Sequence, residues 1–402
     1  MVDVSITKMD GSVLELKAEL HELVKDLRQR VAELVGLAVG KVELRNVPEH
    51  DRLKDEDTLR EVMGSSSGTA LPLMMVARMY RGVEWINDPK EDDFIHMKLE
   101  GHSDFVFDVC FHPSKPLLAS VGEEASVIIW DLSTAEYVSD STGVQKMQCS
   151  PFQRFEAGPA NSVAFAGSSG QDVLLIGRSD GRLEVRDVQE GLVTATTQAC
   201  DTAIIWLQPL PEAQQVFCGS GPNRGAISPT LGGDLAVFSM VDWSLLKKWP
   251  VPEALSYCYH PVSHVICSGQ NSHVSIWLPD GTMRGQLKVT GGHVRSLSPH
   301  PSCARVLVGA RTMISEIDLD TKEVFHTIPV DASGWAFGGN WWSQYDPSGG
   351  YIFVAEPSSN CISMSARSNV DKPLHKFNGH NNYIFRFAFN QAGDRMASAS
   401  GD

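Results

Sequence analysis

The sequence predicts a mainly β fold, with a seven-bladed β-propeller over residues 80–402 preceded by a small α+β domain over residues 1–79. Three observations carry this prediction. A strand-and-turn signature recurs along the second segment. In the first segment the hydrophobic period changes from 2 residues, typical of a strand, to 3.6 residues, typical of a helix, and back. The composition is that of a globular protein, since 42% of the residues are hydrophobic and 21% are charged.

The charge balance disfavours several classes of partner. The chain has 34 Lys and Arg residues against 49 Asp and Glu residues, which gives a formal net charge of −15. General binding to nucleic acids requires cations that neutralise phosphates, and anionic membranes attract basic rather than acidic surfaces. We therefore expect neither nucleic acid nor membrane as a partner.

The cysteine pattern predicts a reducing compartment. No C-x-x-C pair occurs, and each cysteine stands singly in an apolar stretch. No secretory signal precedes them, and no apolar run approaches the roughly 18 residues that a membrane span needs. A cytoplasmic or nuclear location is the expectation. The cysteines are Cys110, Cys149, Cys200, Cys218, Cys258, Cys267, Cys303 and Cys361.

The first 79 residues combine strands with one amphipathic helix. Val2–Ile6 alternates apolar and polar residues, and Asp10-Gly11 predicts a hairpin turn into a second strand. Further strands are predicted at Val42–Leu44 and Leu71–Met79. The helix is predicted where apolar residues recur on one face, at Leu23, Leu27, Val31 and Leu34.

This order of elements resembles the ubiquitin-like domain, which has the β-grasp fold. The hairpin, the helix and the Asp57-Thr58-Leu59 turn fall where that family has them. Ubiquitin ends in a di-glycine that is used for conjugation, whereas here Gly82 stands alone and the chain continues. The resemblance therefore implies a built-in docking domain for ubiquitin-system receptors, such as the proteasome or a ligase complex. A merely structural N-terminal cap is the alternative.

Seven strand-and-turn signatures predict the blades of the propeller. In each, an apolar alternation ends in a turn, as in Val109–Pro113. A spacing of forty to fifty-odd residues fits four-stranded blades stacked around a ring. The central residues, called anchors below, are Phe111, Phe165, Leu207, Tyr259, Pro299, Tyr345 and Phe389, with spacings of 54, 42, 52, 40, 46 and 44 residues.

A second signature resembles the WD repeat. Trp130-Asp131 closes an apolar strand, and Gly-His dipeptides occur at 101–102, 292–293 and 379–380. The resemblance implies a structural hydrogen-bonded cluster of the Gly-His histidine, a strand Ser, a turn Asp and the Trp. The first repeat offers His102, Ser120 and Trp130, with Glu124 where Asp is usual. The last repeat offers His380 and Asp402.

The last blade contains only two strands before residue 402. Residues 82–99 are expected to supply the other two, because Trp85 and the Phe94–Leu99 run match the third and the outermost strand of a WD repeat. A truncated chain is the alternative.

No motif for catalysis is present. The sequence contains no phosphate-binding G-x-x-x-x-G-K-[ST] loop, no H-E-x-x-H and no G-x-S-x-G. Cys258, His260, His264 and Cys267 have a spacing that suggests zinc, but on an alternating strand and its return the side chains need not converge. The His-Pro turns suggest exposed histidines. We expect no catalytic residue, cofactor or metal.

Two functions follow from these observations. The resemblance implies a non-enzymatic scaffold or adaptor that binds proteins or peptides within a multiprotein complex. The alternative is a hydrolase-type propeller enzyme that acts at the central channel, which would need acid, base or metal groups converging at the channel mouth.

A protein-binding patch is predicted on one face of the propeller. The residue four before each anchor is aromatic in the first, sixth and seventh blades, at Phe107, Trp341 and Phe385, and Phe105, Trp342 and Tyr383 would widen the patch. Large rigid rings suit a binding hot spot. Burial of the same rings between blades is the alternative, because propellers need such packing too.

Overall fold

We describe the fold from a computed structural model of the chain. The residues that the structure describes are 2–8, 13–18, 26–27, 30–31, 42–46, 70–77, 97–139, 145–168, 171–222, 232–330, 342–356, 358–393 and 395–401. Among them, no helix is long and apolar enough to cross a membrane.

The N-terminal segment forms a four-stranded sheet in the order β2-β1-β4-β3. β1 pairs in parallel with β4, whereas β1–β2 and β3–β4 are antiparallel. Residues 26–27 and 30–31 are helical, and Leu27 and Val31 of the predicted helix face are fully buried. Leu23 and Leu34 of that face lie outside the described residues. The strands are β1 (Val2–Lys8), β2 (Val13–Ala18), β3 (Val42–Asn46) and β4 (Ala70–Ala77).

From residue 106 onwards the chain folds into successive antiparallel sheets, which we call units 1 to 7. Units 1 to 6 each have four strands, and the described part of unit 7 has two. This confirms the mainly β prediction. Unit 1 contains β6 (Val106–Phe111), β7 (Leu117–Gly122), β8 (Ser126–Asp131) and β11 (Pro151–Glu156). Unit 2 contains β12 (Ala160–Ser168), β13 (Gln171–Arg178), β14 (Arg182–Asp187) and β15 (Val193–Gln198).

Unit 3 contains β16 (Ala203–Leu210), β17 (Gln215–Gly221), β18 (Asp234–Ser239) and β19 (Leu245–Pro250). Units 4 and 5 share one long strand, β23 (Met283–Pro299), so that they form a single seven-stranded sheet. Its other strands are β20 (Ser256–His260), β21 (Val265–Gly269), β22 (Asn271–Trp277), β24 (Arg305–Ala310), β25 (Met313–Asp318) and β26 (Val324–Pro329).

Unit 6 contains β27 (Ser343–Tyr345), β28 (Tyr351–Glu356), β29 (Cys361–Ala366) and β30 (Asn369–Phe377), and unit 7 contains β31 (Ile384–Phe389) and β32 (Met396–Ser400). Every predicted anchor lies in the first strand of its unit, which we call the inner strand. The periodic signature therefore placed one strand of each unit correctly.

A hairpin in unit 1 was not predicted. β9 (Glu136–Ser139) and β10 (Gln145–Gln148) are inserted between β8 and β11. They pair with each other, and β10 pairs in parallel with β5 (Met97–Lys98). Four-residue strands are too short for a hydrophobic period to reveal them. Residues 82–96, which are expected to help complete the last blade, lie outside the described residues, so that scheme stays a prediction.

The core lies between neighbouring units. Each unit shares a buried apolar cluster with the next, from units 1 and 2 through to units 6 and 7. A further cluster joins unit 7 to unit 1, where Ala399 is buried with Val109, Leu118 and Trp130. The described units therefore stack in a ring, in which neighbouring sheets bury the faces that no single sheet could bury alone.

Candidate functional site

A hydrogen-bonded chain of side chains supports one end of unit 1. The Trp130 indole donates to Ser120 Oγ at 2.9 Å, and Ser120 Oγ lies 2.7 Å from His102 Nε2. His102 Nδ1 contacts Glu124 Oε1. Since a carboxylate only accepts hydrogen bonds, Nδ1 carries the proton, and Ser120 donates to Nε2 while accepting from Trp130. The structure thus brings together His102, Ser120 and Trp130, with Glu124 in the position of the usual Asp.

The protonation of Glu124 fits this arrangement. Burial raises the pKa of its carboxyl, but the hydrogen bond from His102 helps to outweigh burial and the pKa lies below its usual value. Glu124 is therefore ionised, and it fixes the tautomer of His102. These groups hold two neighbouring loops together, which is a structural role.

Two other units show parts of the same arrangement. In unit 7, His380 Nε2 lies 2.7 Å from Ser398 Oγ, while Asp402 lies outside the described residues. In unit 4, the Trp277 indole donates to Ser268 Oγ at 2.8 Å, and the Gln270 amide donates to the same oxygen at 3.1 Å. The sequence analysis did not select Ser268 and Gln270. The signal was the nine-residue spacing from Ser268 to Trp277, against ten from Ser120 to Trp130.

The histidines of the His-Pro turns are buried, so the expectation that they are exposed was wrong. His112 is 5% exposed, and His260 and His300 are fully buried. His260 Nε2 donates to the Arg305 carbonyl of the next unit at 2.9 Å, while its Nδ1 accepts from the Ser263 amide. Each imidazole ring links its own turn to one neighbouring unit, because its two nitrogens form hydrogen bonds in two different directions.

A second set of contacts joins the inner strands directly. The residue three before each anchor contacts the next unit in six of the seven units. Asp108 accepts from the Val163 amide at 3.0 Å, Ser162 donates to the Ile204 carbonyl at 2.8 Å, and Ser256 donates to the Val294 carbonyl at 3.2 Å. Ser296 Oγ lies 2.9 Å from Ser343 Oγ, the Arg386 guanidinium lies 4.5 Å from the Trp342 ring centre, and Arg386 donates to Asp108 at 3.0 Å.

These contacts define one face of the ring. Because they join equivalent positions, the inner strands run side by side in the same direction. The loops before each inner strand, and the loops between the second and third strands, therefore emerge together. We call this surface the loop face.

Three of the five described residues of the predicted aromatic patch are buried in the structure. Phe107, Trp342 and Phe385 are 2%, 9% and 8% exposed, whereas Phe105 is half-buried and Tyr383 is 42% exposed. The rings pack on each other, with 5.2 Å between the centroids of Phe107 and Phe385. The spacing placed them near the loop face, but the contact between units 7 and 1 covers Phe107 and Phe385, and the contact between units 6 and 7 covers Trp342. Trp341 lies outside the described residues.

The four residues with zinc-like spacing do not converge. Cys258 and Cys267 are buried opposite each other on β20 and β21. His260 bonds the Arg305 carbonyl, and His264 bonds the Tyr259 hydroxyl at 3.0 Å. Among the residues that the structure describes, no group of three His, Cys, Asp or Glu side chains could hold a metal ion.

Comparison with known families supports a WD-repeat propeller. The family model described as "WD domain, G-beta repeat" matches residues 94–131 and 371–402. These segments contain the described cluster of unit 1 and the inner strand of unit 7, on the two sides of the ring closure. No curated protein matches the chain significantly.

Proposed function

We propose that this chain is a non-enzymatic interaction scaffold or adaptor. In this proposal a seven-bladed WD-repeat propeller binds protein or peptide partners through its loop face, within a larger complex. WD-repeat domains generally mediate interactions between proteins, and they are typically not enzymes.

The contacts between inner strands carry the proposal. They tie the loops of units 6, 7 and 1 to a single rigid frame, through Trp342, Arg386 and Asp108. On this frame the Tyr383 ring is exposed, and the half-buried Phe105 packs on Phe385 with 5.8 Å between the ring centroids. A rigid aromatic side chain offers large contact area at a low cost in entropy, which is what a hot spot needs.

The N-terminal segment is proposed to be a ubiquitin-like β-grasp domain that docks to ubiquitin-system receptors. Support comes from the sheet order β2-β1-β4-β3, with a central parallel pair, and from a helix that buries Leu27 and Val31. The free thiols of all eight cysteines support a reducing compartment, the cytoplasm or the nucleus.

The test compares two variants of the full chain by affinity capture with quantitative mass spectrometry. Tyr383→Ala removes the exposed ring on the loop face. Phe152→Ala removes a ring of similar exposure, 46%, from the outer strand β11. We expect Tyr383→Ala to lose partners that Phe152→Ala retains, with equal melting temperatures for both. Identical sets of captured partners for the two variants would refute a binding role for this face.

A further inference from the structure

Three basic residues lie at the loop-face end of unit 5. Arg295 lies on β23 beside the bulge in its pairing with β24, where Val294 faces Ala310 and Ser296 faces Gly309. Arg311 follows Ala310 directly in the loop to β25. His293 lies two residues before Arg295 on β23. These three residues, which we call the basic cluster, lie on β23 and in the loop from β24 to β25.

The two arginines repel each other instead of pairing with acids. Burial lowers the pKa of Arg295, and the charge of Arg311 lowers it further. Burial lowers the pKa of His293 as well, followed by the charges of Arg295 and Arg311, and only the exposed Glu253 opposes them. Among the described residues neither guanidinium has an ion pair or a hydrogen bond, and the buried His293 Nδ1 has no partner.

Other partly buried arginines of this chain are neutralised. Arg386 bonds Asp108 at 3.0 Å, and Arg367 bonds Glu316 at 2.7 Å. In a chain with 49 acidic and 34 basic residues, a cluster without a carboxylate partner stands apart. Two like charges held close together at a partly buried position repel each other, and an anion bound between them converts this repulsion into attraction.

The cluster is also held in place before any ligand arrives. The Thr312 amide donates to the Gly291 carbonyl at 3.1 Å, which ties the loop of Arg311 to β23. Gly291 has a φ of 99°, a backbone conformation that residues other than glycine rarely adopt. A preorganised site loses less entropy on binding.

We propose that His293, Arg295 and Arg311 form an anion site on the loop face, which takes the side-chain carboxylates of an acidic peptide segment in a partner protein. This inference rests on the proposed function and deepens it. Guanidinium groups bind carboxylates with two parallel hydrogen bonds. A net charge of −15 repels a long polyanion such as a nucleic acid far more than a short peptide with a few acidic residues.

The test measures binding of labelled peptides to the full chain by fluorescence anisotropy. One peptide carries four consecutive Glu residues in a Gly-Ser sequence, and the other carries Gln at those positions. We expect the Glu peptide alone to bind, with an affinity that falls as salt rises. The double variant Arg295→Gln/Arg311→Gln should weaken it about tenfold or more.

The control removes the same two charges elsewhere. Arg182→Gln/Arg284→Gln changes side chains that are 52% and 48% exposed, outside the basic cluster, and should leave the affinity unchanged. Arg311→Glu is a second variant at an exposed position, which should abolish binding without loss of the folded state, as checked by circular dichroism.

Three results would overturn the inference: equal binding of the two peptides, equal effects of the two double variants, or tighter binding of a single-stranded oligonucleotide that the Glu peptide fails to displace. The capture experiment with Tyr383→Ala separates this failure from that of the proposed function. If the capture experiment finds partners that depend on Tyr383 but the Glu peptide does not bind, the proposed scaffold function is retained and the anion site is rejected.

Discussion

The contact between Asp108 and Arg386 closes the ring, and its removal should destabilise the whole propeller. Asp108 is 1% exposed, and its carboxylate accepts from Arg386 at 3.0 Å and from the Val109 and Val163 amides at 2.9 and 3.0 Å. Arg386→Met keeps an unbranched side chain but removes the cation. The change leaves a buried carboxylate whose charge is no longer compensated.

The structure sets the size of the effect. Loss of one partner from a buried ion pair costs about 3–5 kcal/mol. The two backbone amides still solvate the carboxylate, which favours the lower end of that range. Loss of the guanidinium from above Trp342 adds about 0.5–1 kcal/mol. We therefore expect Arg386→Met to lower the free energy of unfolding by about 3–4 kcal/mol.

Urea denaturation of the full chain, followed by tryptophan fluorescence, measures this loss. Arg284→Met is the matched control, because the Arg284–Asp320 pair is 3.4 Å apart with side chains 48% and 59% exposed, and such surface pairs contribute less than about 1 kcal/mol. The double variant Asp108→Asn/Arg386→Met should recover part of the loss, since it removes the stranded charge. Equal effects of Arg386→Met and Arg284→Met would refute the reasoning, as would strict additivity in the double variant.

Two further predictions concern the clusters that fasten the units. Ser120→Ala leaves the Trp130 indole without an acceptor and should destabilise the chain by about 1–3 kcal/mol. Ser133 is exposed, and Ser133→Ala should change the stability by less than about 0.5 kcal/mol. Equal shifts of the melting temperature for the two variants would contradict this prediction. Burial lowers the pKa of His260, so the folded state holds it neutral while the unfolded chain takes up a proton below about pH 6.5. The stability advantage of wild-type over His260→Gln should therefore be smaller at pH 5 than at pH 7.5, and an advantage independent of pH, measured by urea denaturation at both values, would contradict that assignment.

Local sequence patterns predicted the strands well because the alternation of apolar and polar residues is contained within each strand. All seven anchors, from Phe111 to Phe389, lie in inner strands, and Leu27 and Val31 are buried in a helix as their spacing indicated. The resemblance of the Trp130 strand to a WD repeat likewise pointed to its partners His102 and Ser120, since that family places these residue types in one hydrogen-bonded cluster.

Contacts between units could not be predicted in the same way. The burial of Phe107 depends on Phe385 in another unit, and no local period records which unit lies beside it. For the same reason His260 seemed exposed in its turn, although the Arg305 carbonyl of the next unit covers it. The arginines of the basic cluster are ordinary surface residues in the sequence, and only the pairing of β23 with β24 brings them together.

The closing contact also bears on how the chain is made. Asp108 and Arg386 are 278 residues apart in sequence. At about 5–20 residues per second, a ribosome needs roughly 14–56 s to add the residues between them. During that interval unit 1 has emerged, but its face toward unit 7 has no neighbour, and Val109 and Trp130 await the strand that will cover them. A nascent chain of this length therefore exposes an apolar surface to the cell for most of its synthesis, and chaperones that recognise such surfaces have time to bind it before the ring shuts.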